Sequence, residues 1–354
     1  MDTSYAVIIR LERKRSYILR DYIRLAVMEG MGKGQLVVDL GGTKIASAII
    51  SDNTIIARDY HLTLAHKGVS QVISRLIMSI ERLLEKTGLS LSQLESICIA
   101  SAGIIDMTKG IVTVSPNLPG WHNVPLRSKI SKHFGIKTYL INDASAAALG
   151  EFMLGVGKNS SNVIYITVST GIGGGIIIKG ELYLGACGSA GEIGHMTIKA
   201  NGPRCYCGNR GCLESLASGT AIAREAIRLI REGKKSSLAQ IAGNNIANIT
   251  AKEVSIAAHK GDALAKKVIL RAATYLGIGM ANVTNIFSPD MIIIGGSVSK
   301  MGELLFEPVR QQVLKRAFEL PAQAVKIVPS TLGDDVGLFG AAFFAQEQQK
   351  MSSG

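Results

Sequence analysis

The chain has 354 residues, with 39 Lys and Arg against 27 Asp and Glu and a formal charge of +12. At about 100–200 residues per domain, this length suits two domains or one large one, each able to bury a core. Hydrophobic residues at 47% and charged residues at 19% exclude disordered and fibrous classes, and no apolar run approaches the roughly 18 residues that a membrane-spanning helix needs.

Residues 1–33 form a basic amphipathic stretch, with Ile8, Leu11, Tyr17, Ile18, Tyr22, Ile23 and Leu25 at roughly helical spacing. Arg10, Glu12, Arg13, Lys14, Arg15 and Asp21 interrupt it, so it lacks the apolar centre of a signal peptide, and a cytoplasmic location is expected. Either Met31 is the native start or this stretch is a helix that docks on the body or on a partner. The core pattern begins at Gln35. A strand, Leu36-Val37-Val38-Asp39-Leu40, leads through Gly41-Gly42-Thr43-Lys44 into a second strand over 45–50 and a third over 54–60. Residues 69–86 have helical periodicity and 97–100 return to a strand.

The same design recurs further on. A strand over 163–168 is followed by a glycine-rich turn over 169–175, a strand beginning at Ile176, and a third strand at Leu182-Tyr183-Leu184. A strand–glycine turn–strand unit that appears twice predicts two related α/β domains. Helices are then predicted over 219–232, 251–260, 263–285 and near 303–318, strands over 291–294 and 326–328, and a closing helix over 337–348.

Five constellations carry chemistry. Glycines at Gly41 and Gly42 let backbone N–H groups approach a phosphate, Thr43 and Lys44 add a hydroxyl and a cation, and Asp39 can orient Mg²⁺ or its water. A plain hairpin turn is the alternative. The segment 169–175 is not a dinucleotide fingerprint, because a strand and not a helix follows it; a second phosphate loop fits better. Asn142 and Asp143 stand between a strand and an Ala-rich helix, so Asp143 is either a helix cap or a general base. His195 with Cys205, Cys207 and Cys212 makes a Cys₃His set in a polar, glycine-rich segment, the composition of a closed structural zinc site. The flanking Glu192 and Glu214 would be fixed by such a site and could grip hydroxyls of a polyol. Gly295-Gly296 ends a buried strand, where the backbone either approaches a nucleoside or simply turns. Cys98 and Cys187 read as ordinary packing residues.

Together these segments resemble the ROK family, which comprises bacterial sugar kinases, sugar-responsive repressors and related open reading frames. The resemblance rests on residues 39–44, Pro116-Asn117-Leu118-Pro119-Gly120-Trp121, Asn142-Asp143 through Gly150-Glu151, residues 170–175, Glu192-Ile193-Gly194-His195 and residues 205–214. It spans about 35–345. The family's usual Asn-Asp-Ala-Asn is Asn142-Asp143-Ala144-Ser145 here. The resemblance implies two ribonuclease-H-like, actin/hexokinase-type α/β domains around a cleft. They are expected over 34–141 plus 334–350 and over 142–333, after the extension 1–33. It implies Asp143 as catalytic base, and Gly103, Asn117, Asn142, Glu192, His195 and Glu214 on the sugar side. Gly41, Gly42, Thr43, Thr170 and Gly171 would hold ATP phosphates, beside the Asp39 and Lys44 read above, and Gly295 and Gly296 would lie on the adenosine side. It also makes His195 a zinc ligand alongside Cys205, Cys207 and Cys212.

The expected activity is ATP-dependent phosphorylation of a hexose, glucose foremost, at the 6-hydroxyl. An N-acetylmannosamine or N-acetylglucosamine kinase is the alternative. A sugar-responsive transcriptional regulator is disfavoured, since a helix-turn-helix needs about sixty residues and only about thirty precede the first strand. The partners expected are a sugar and a nucleotide, with Mg²⁺ and structural Zn²⁺, no nucleic acid and no membrane, in a homodimer or homotetramer.

Overall fold

A computed structural model describes residues 33–353; the expected N-terminal helix and the question of Met31 lie outside them. The described residues divide into two units, 33–150 with 335–353, and 151–334.

The first unit is built on a five-stranded sheet in the order β3-β2-β1-β4-β8. Strands β1 (Gly34–Leu40), β2 (Lys44–Ser51) and β3 (Thr54–Leu62) form an antiparallel meander, and β4 (Leu94–Ser101) and β8 (Thr138–Asn142) add in parallel. β1 is buried along nearly its whole length, as expected of a central strand covered on both faces. Helix α1 (Val69–Thr87) is packed against β2 and β3. It buries Val72, Ile73, Leu76, Ile80 and Leu83, the apolar stripe of its 3.6-residue period. Gly88 at φ 70° ends it, donating its N–H to Leu84 O. The C-terminal helix (Val336–Ser353) packs on β1 and β4.

A small sheet of β5 (Ile104–Asp106), β6 (Ile111–Val114) and β7 (His122–Val124), followed by α2 (Leu126–Phe134), lies between β4 and β8 in the chain. These four elements had no counterpart in the sequence reading. Their strands are three or four residues long, too short for a period of two to show. Their loop, residues 115–121, is anchored by buried Leu118 and Trp121.

Helix α3 (Asp143–Met153) follows β8 directly. The division between units falls inside it, at Gly150/Glu151, and not at the strand end expected from the sequence. Its first two turns pack against the C-terminal helix: a Cβ on Gly150 would stand against the Val336 carbonyl, and one on Gly340 against the Ala146 carbonyl.

The second unit repeats the first. Its sheet runs β11-β10-β9-β12-β13, with β9 (Val163–Val168), β10 (Ile172–Ile178) and β11 (Glu181–Leu182) antiparallel, and β12 (Met291–Gly295) and β13 (Lys326–Pro329) parallel. Order and direction match the first sheet strand for strand. The third strand is shorter than predicted, pairing only at Glu181 and Leu182. Between β11 and β12 come α4 (Leu213–Ala217), α5 (Gly219–Arg231), α6 (Leu238–Ile241), α7 (Ala251–His259) and the long α8 (Ala263–Phe287). α9 (Glu303–Arg316) and α10 (Glu319–Ala324) precede β13, and the closing helix is α11. No helix among the described residues is long and apolar enough to cross a membrane.

Candidate functional site

In the first unit, β1 ends at Leu40 and the turn to β2 is Gly41–Thr43. It is closed by Gly41 N–H on Lys44 O (3.0 Å), Thr63 N–H on Thr43 O (2.8 Å) and the Thr63 hydroxyl on Gly41 O (2.7 Å). Lys44 Nζ lies 5.6 Å from the Tyr60 ring centre. Asp39 Oδ2 is 3.3 Å from the Cβ position of Gly337, so its carboxylate sits beside the start of α11. Gly42 has a role beyond leaving room for phosphate. A Cβ there would be 2.5 Å from the Asn117 carbonyl oxygen and 2.9 Å from Asn117 Cβ, so the glycine turn and the 115–121 loop touch.

Gly103, at φ 113°, is pressed on Val114 and Ser115, and its carbonyl accepts from Asn142 Nδ2 at 3.0 Å. Asn142 Oδ1 accepts from Ala144 N–H (2.9 Å) and Ser145 N–H (3.1 Å). Asn142 is therefore the main cap of α3, and one carboxamide joins Gly103 to the helix start. Asp143 Oδ1 shares the Ala144 N–H at 2.9 Å. Its half-buried carboxylate lies in the first turn of α3, where the helix dipole favours negative charge. The structure thus gathers Asp39, Gly41, Gly42 and Asn117 around one turn, and Gly103, Asn142 and Asp143 around another.

In the second unit, the turn is only Ser169–Gly171. Gly173, Gly174 and Gly175 belong to β10, paired with Thr167, Ile166 and Tyr165, which corrects the glycine-rich turn expected over 169–175. The reason is a neighbouring segment: a Cβ on Gly174 would be 2.7 Å from the Gly191 carbonyl oxygen, and one on Gly194 would overlap that of Ile172. Missing side chains let residues 191–195 lie flat on the strand and carry Glu192 and His195 there. Burial raises the Glu192 carboxyl above its usual range; His195 opposes this and Glu214 adds to it.

Glu214, in the first turn of α4, reaches the same turn. Its Oε2 accepts the Ile172 N–H at 2.8 Å, and a Cβ on Gly171 would collide with that oxygen. Thr170 O accepts the Thr220 hydroxyl at 2.8 Å. Gly295 and Gly296 end β12 with no space for side chains, against Tyr165 and the Val168 backbone, and Ser297 Oγ lies 3.1 Å from Ser169 Oγ. Thr170, Gly171, Gly295 and Gly296 therefore belong to adjoining turns at the C-terminal ends of the neighbouring strands β9 and β12.

His195, Cys205, Cys207 and Cys212 offer four ligand atoms within 4.8 Å of one another. His195 Nδ1 is 3.7 Å from Cys205 Sγ, and Cys207 Sγ is 3.7 Å from Cys212 Sγ. A tetrahedral zinc ion with bonds of about 2.3 Å to sulfur separates its sulfurs by about 3.8 Å, so the set fits zinc. Gly208 at φ 96° and Gly211 at φ 68° supply left-handed turns that few other residues tolerate. Burial and hydrogen bonds from Cys207 and Cys205 push the Cys212 thiol up to about 12, a proton that a bound cation must displace. Cys98 is buried, as expected of a packing residue; Cys187 is exposed beside Ser189 and packs in no core. Glu151 is fully buried and had been given no role. Its signals in the sequence are its place at the end of the segment that carries the family resemblance and a lone carboxylate directly after the apolar run Ala146-Ala147-Ala148-Leu149-Gly150.

Two copies of a five-stranded mixed sheet, each with a glycine turn after its first strand, define the ribonuclease-H-like, actin/hexokinase-type sugar kinase fold. The ROK family model matches residues 35–348, and the chain belongs to the ROK family. It is 38% identical to a glucokinase of Thermotoga maritima over 88% of this chain and 96% of that one. It is 39% identical to a xylose repressor of Caldicellulosiruptor bescii over 74% of this chain and 65% of the repressor. A ROK family glucokinase from Streptomyces griseus, solved in complex with glucose and AMPPNP, superposes with a TM-score of 0.79 at 32% identity, covering 89% of this chain and 99% of that one.

Proposed function

We propose that the protein transfers the terminal phosphoryl group of ATP to the 6-hydroxyl of a hexose, with glucose the first substrate to test. The observation that carries this reading is the β8–α3 junction, where Asn142 caps the helix and holds Gly103 while Asp143 opens the helix. The near full-length similarity to a glucokinase supports it. Asp143 accepts the hydroxyl proton as the sugar oxygen bonds to the γ-phosphorus and the bond from that phosphorus to the β,γ-bridging oxygen breaks, releasing ADP. Gly103, Asn117, Asn142, Glu192, His195 and Glu214 orient the sugar. Backbone N–H groups at Gly42, Thr43, Thr170 and Gly171, with Lys44, hold phosphates, Gly41 leaves room for them while its own N–H closes the turn on Lys44 O, and Gly295–Gly296 takes the adenosine. Asp39 would hold Mg²⁺ or its water, which supplies charge neutralisation when bound. His195, Cys205, Cys207 and Cys212 would hold a structural zinc ion, which when bound would fix the segments carrying Glu192 and Glu214.

A homodimer is part of this reading, favoured by exposed Ile286, Leu314, Phe318 and Leu320 on α8 to α10 of the second unit; light scattering tests it. The similarity to a xylose repressor favours a second reading, sugar sensing without turnover. A coupled ADP-release assay over glucose, other hexoses and N-acetylhexosamines decides between them. Turnover on glucose is expected, and Asp143→Asn should lower kcat by about 10²–10⁴-fold. Near-normal turnover of Asp143→Asn on every sugar would refute the assignment of the base.

A further inference from the structure

Glu151 is fully buried, and among the described residues its carboxylate oxygens accept five hydrogen bonds, all from neutral hydroxyl or backbone N–H groups. Oε1 accepts the Ser330 hydroxyl (2.6 Å), the Thr331 N–H (2.7 Å) and the Leu332 N–H (2.9 Å). Oε2 accepts the Thr331 hydroxyl (3.0 Å) and the Val156 N–H (3.1 Å). Four of the five donors belong to residues 330–332, the segment that follows β13. Gly155 completes the enclosure, since a Cβ there would overlap Glu151 Oε2. The held segment reaches the end of β12. Ser330 N–H donates to Ile294 O at 3.1 Å, and Ser330 Cβ lies 3.2 Å from the Cβ position of Gly295.

A buried charge satisfied only by neutral dipoles demands all of them at once, because any lost donor leaves part of the carboxylate unsolvated. That requirement fixes residues 330–332 more tightly than apolar packing of the same volume. We propose that Glu151 is a positioning residue for nucleotide binding: it holds Ser330 against the Ile294–Gly295 strand end and so sets the turn that receives the adenosine. The inference rests on the assignment of Gly295–Gly296 to the nucleotide. Glu151 touches no substrate; it acts through Ser330. It stands eight residues after Asp143 on the same helix, α3.

Glu151→Gln tests this with little change of shape. The amide keeps one acceptor and turns an NH₂ group toward a backbone N–H, so at least one of the five bonds becomes a repulsion. Calorimetric titration of the full-length protein with ADP and, separately, with glucose gives the readout. ADP affinity is expected to fall about tenfold, the scale of losing one charge-assisted hydrogen bond, with glucose affinity unchanged. Ser330→Ala, which removes only the hydroxyl on Oε1, should weaken ADP severalfold and keeps the test alive if Glu151→Gln does not fold. Thr331→Val, which removes a donor from Oε2 but leaves the Ser330 bonds to Glu151 and Ile294 in place, should lower thermal stability and weaken ADP less than Ser330→Ala does. If Glu151→Gln and Ser330→Ala lose stability yet bind ADP as the wild type does, Glu151 is a structural staple and the proposal is overturned. Hydrogen exchange of the wild type separates the underlying assignment. Amides 295–298 that ADP fails to protect would remove the nucleotide from this turn, and the proposal with it, whereas protection there with unaltered variants overturns the proposal alone.

Discussion

Replacing Gly42 by alanine separates a glycine that makes room for phosphate from one that makes room for its own protein. The new Cβ would stand 2.5 Å from the Asn117 carbonyl oxygen, 2.9 Å from its Cβ and 3.3 Å from its carbonyl carbon. All three belong to atoms at or next to the backbone, so no flexible side-chain end can swing away. A tolerable carbon–oxygen approach of about 3.2 Å requires a displacement of roughly 0.7 Å, an overpacking that costs about 1–3 kcal/mol. The 115–121 loop is held by Leu118 and Trp121, both buried, and the glycine turn by its bonds to Lys44 and Thr63, so the strain spreads into both. A substrate-positioning group moved by about 1 Å can lose up to about 100-fold in rate. Gly42→Ala is therefore expected to lower kcat/KM for glucose by about 10–100-fold and to raise the glucose KM, besides any effect on ATP. Gly41→Ala, whose Cβ would lie 3.3 Å from the Lys44 carbonyl oxygen, should cost much less. Initial rates with glucose and ATP varied separately give the answer. A Gly42→Ala enzyme with an altered ATP KM and glucose parameters within about twofold of wild type would show that the contact with Asn117 does not matter to the sugar.

Three further outcomes follow from the second unit. Gly171→Ala should evict the Glu214 carboxylate from the Ile172 N–H, a bond worth about 1.5–3 kcal/mol, and raise the ATP KM by about tenfold in the same rate assay. Removing the knuckle metal with a chelator, or weakening its site with Cys207→Ser, should lower the melting temperature and the zinc content measured by mass spectrometry together. A fully active protein without zinc would refute the metal's structural role. Asp262 caps α8 through the Ala265 N–H and also accepts from Ser236 and from Ser237. Burial alone would raise its carboxyl, but these donors hold it below the usual value. Asp262→Ala should cost about 2 kcal/mol in denaturant unfolding at neutral pH. Because the folded pKa is the lower one, the wild-type advantage is complete above the unfolded value of about 4 and fades as the pH falls through the folded one; a difference that grows in acid would refute this.

The duplicated strand–turn–strand design was legible because its strands are short segments rich in Ile and Val set apart by glycine or polar turns, and neighbours in sequence became neighbours in the sheet. The knuckle was legible because its ligands lie within 18 residues of one another, where spacing alone limits the geometry. Elements built from fragments of three or four residues, such as β5 to β7, carry too few positions for any period to emerge. The double engagement of Asn142 could not be read either, since one of its partners, Gly103, is 39 residues away.

The glycines show most clearly where sequence reasoning stops. A glycine announces that no Cβ is tolerated, but not which atom occupies the space. Local propensity places Gly173, Gly174 and Gly175 in a turn, because glycine weakens strands; the approach of residues 191–195 keeps them in β10 instead. At Gly42 the occupant is the Asn117 backbone, at Gly171 the Glu214 carboxylate, and at Gly295 the Tyr165 hydroxyl. In each case the excluded side chain would strike another part of the same unit, and at Gly42 and Gly171 that part belongs to a residue proposed to bind the sugar. Close approach of one working segment to another therefore accounts for these glycines before any ligand is considered, and it explains why a single methyl at Gly42 is expected to disturb the handling of a sugar that the glycine itself need never touch.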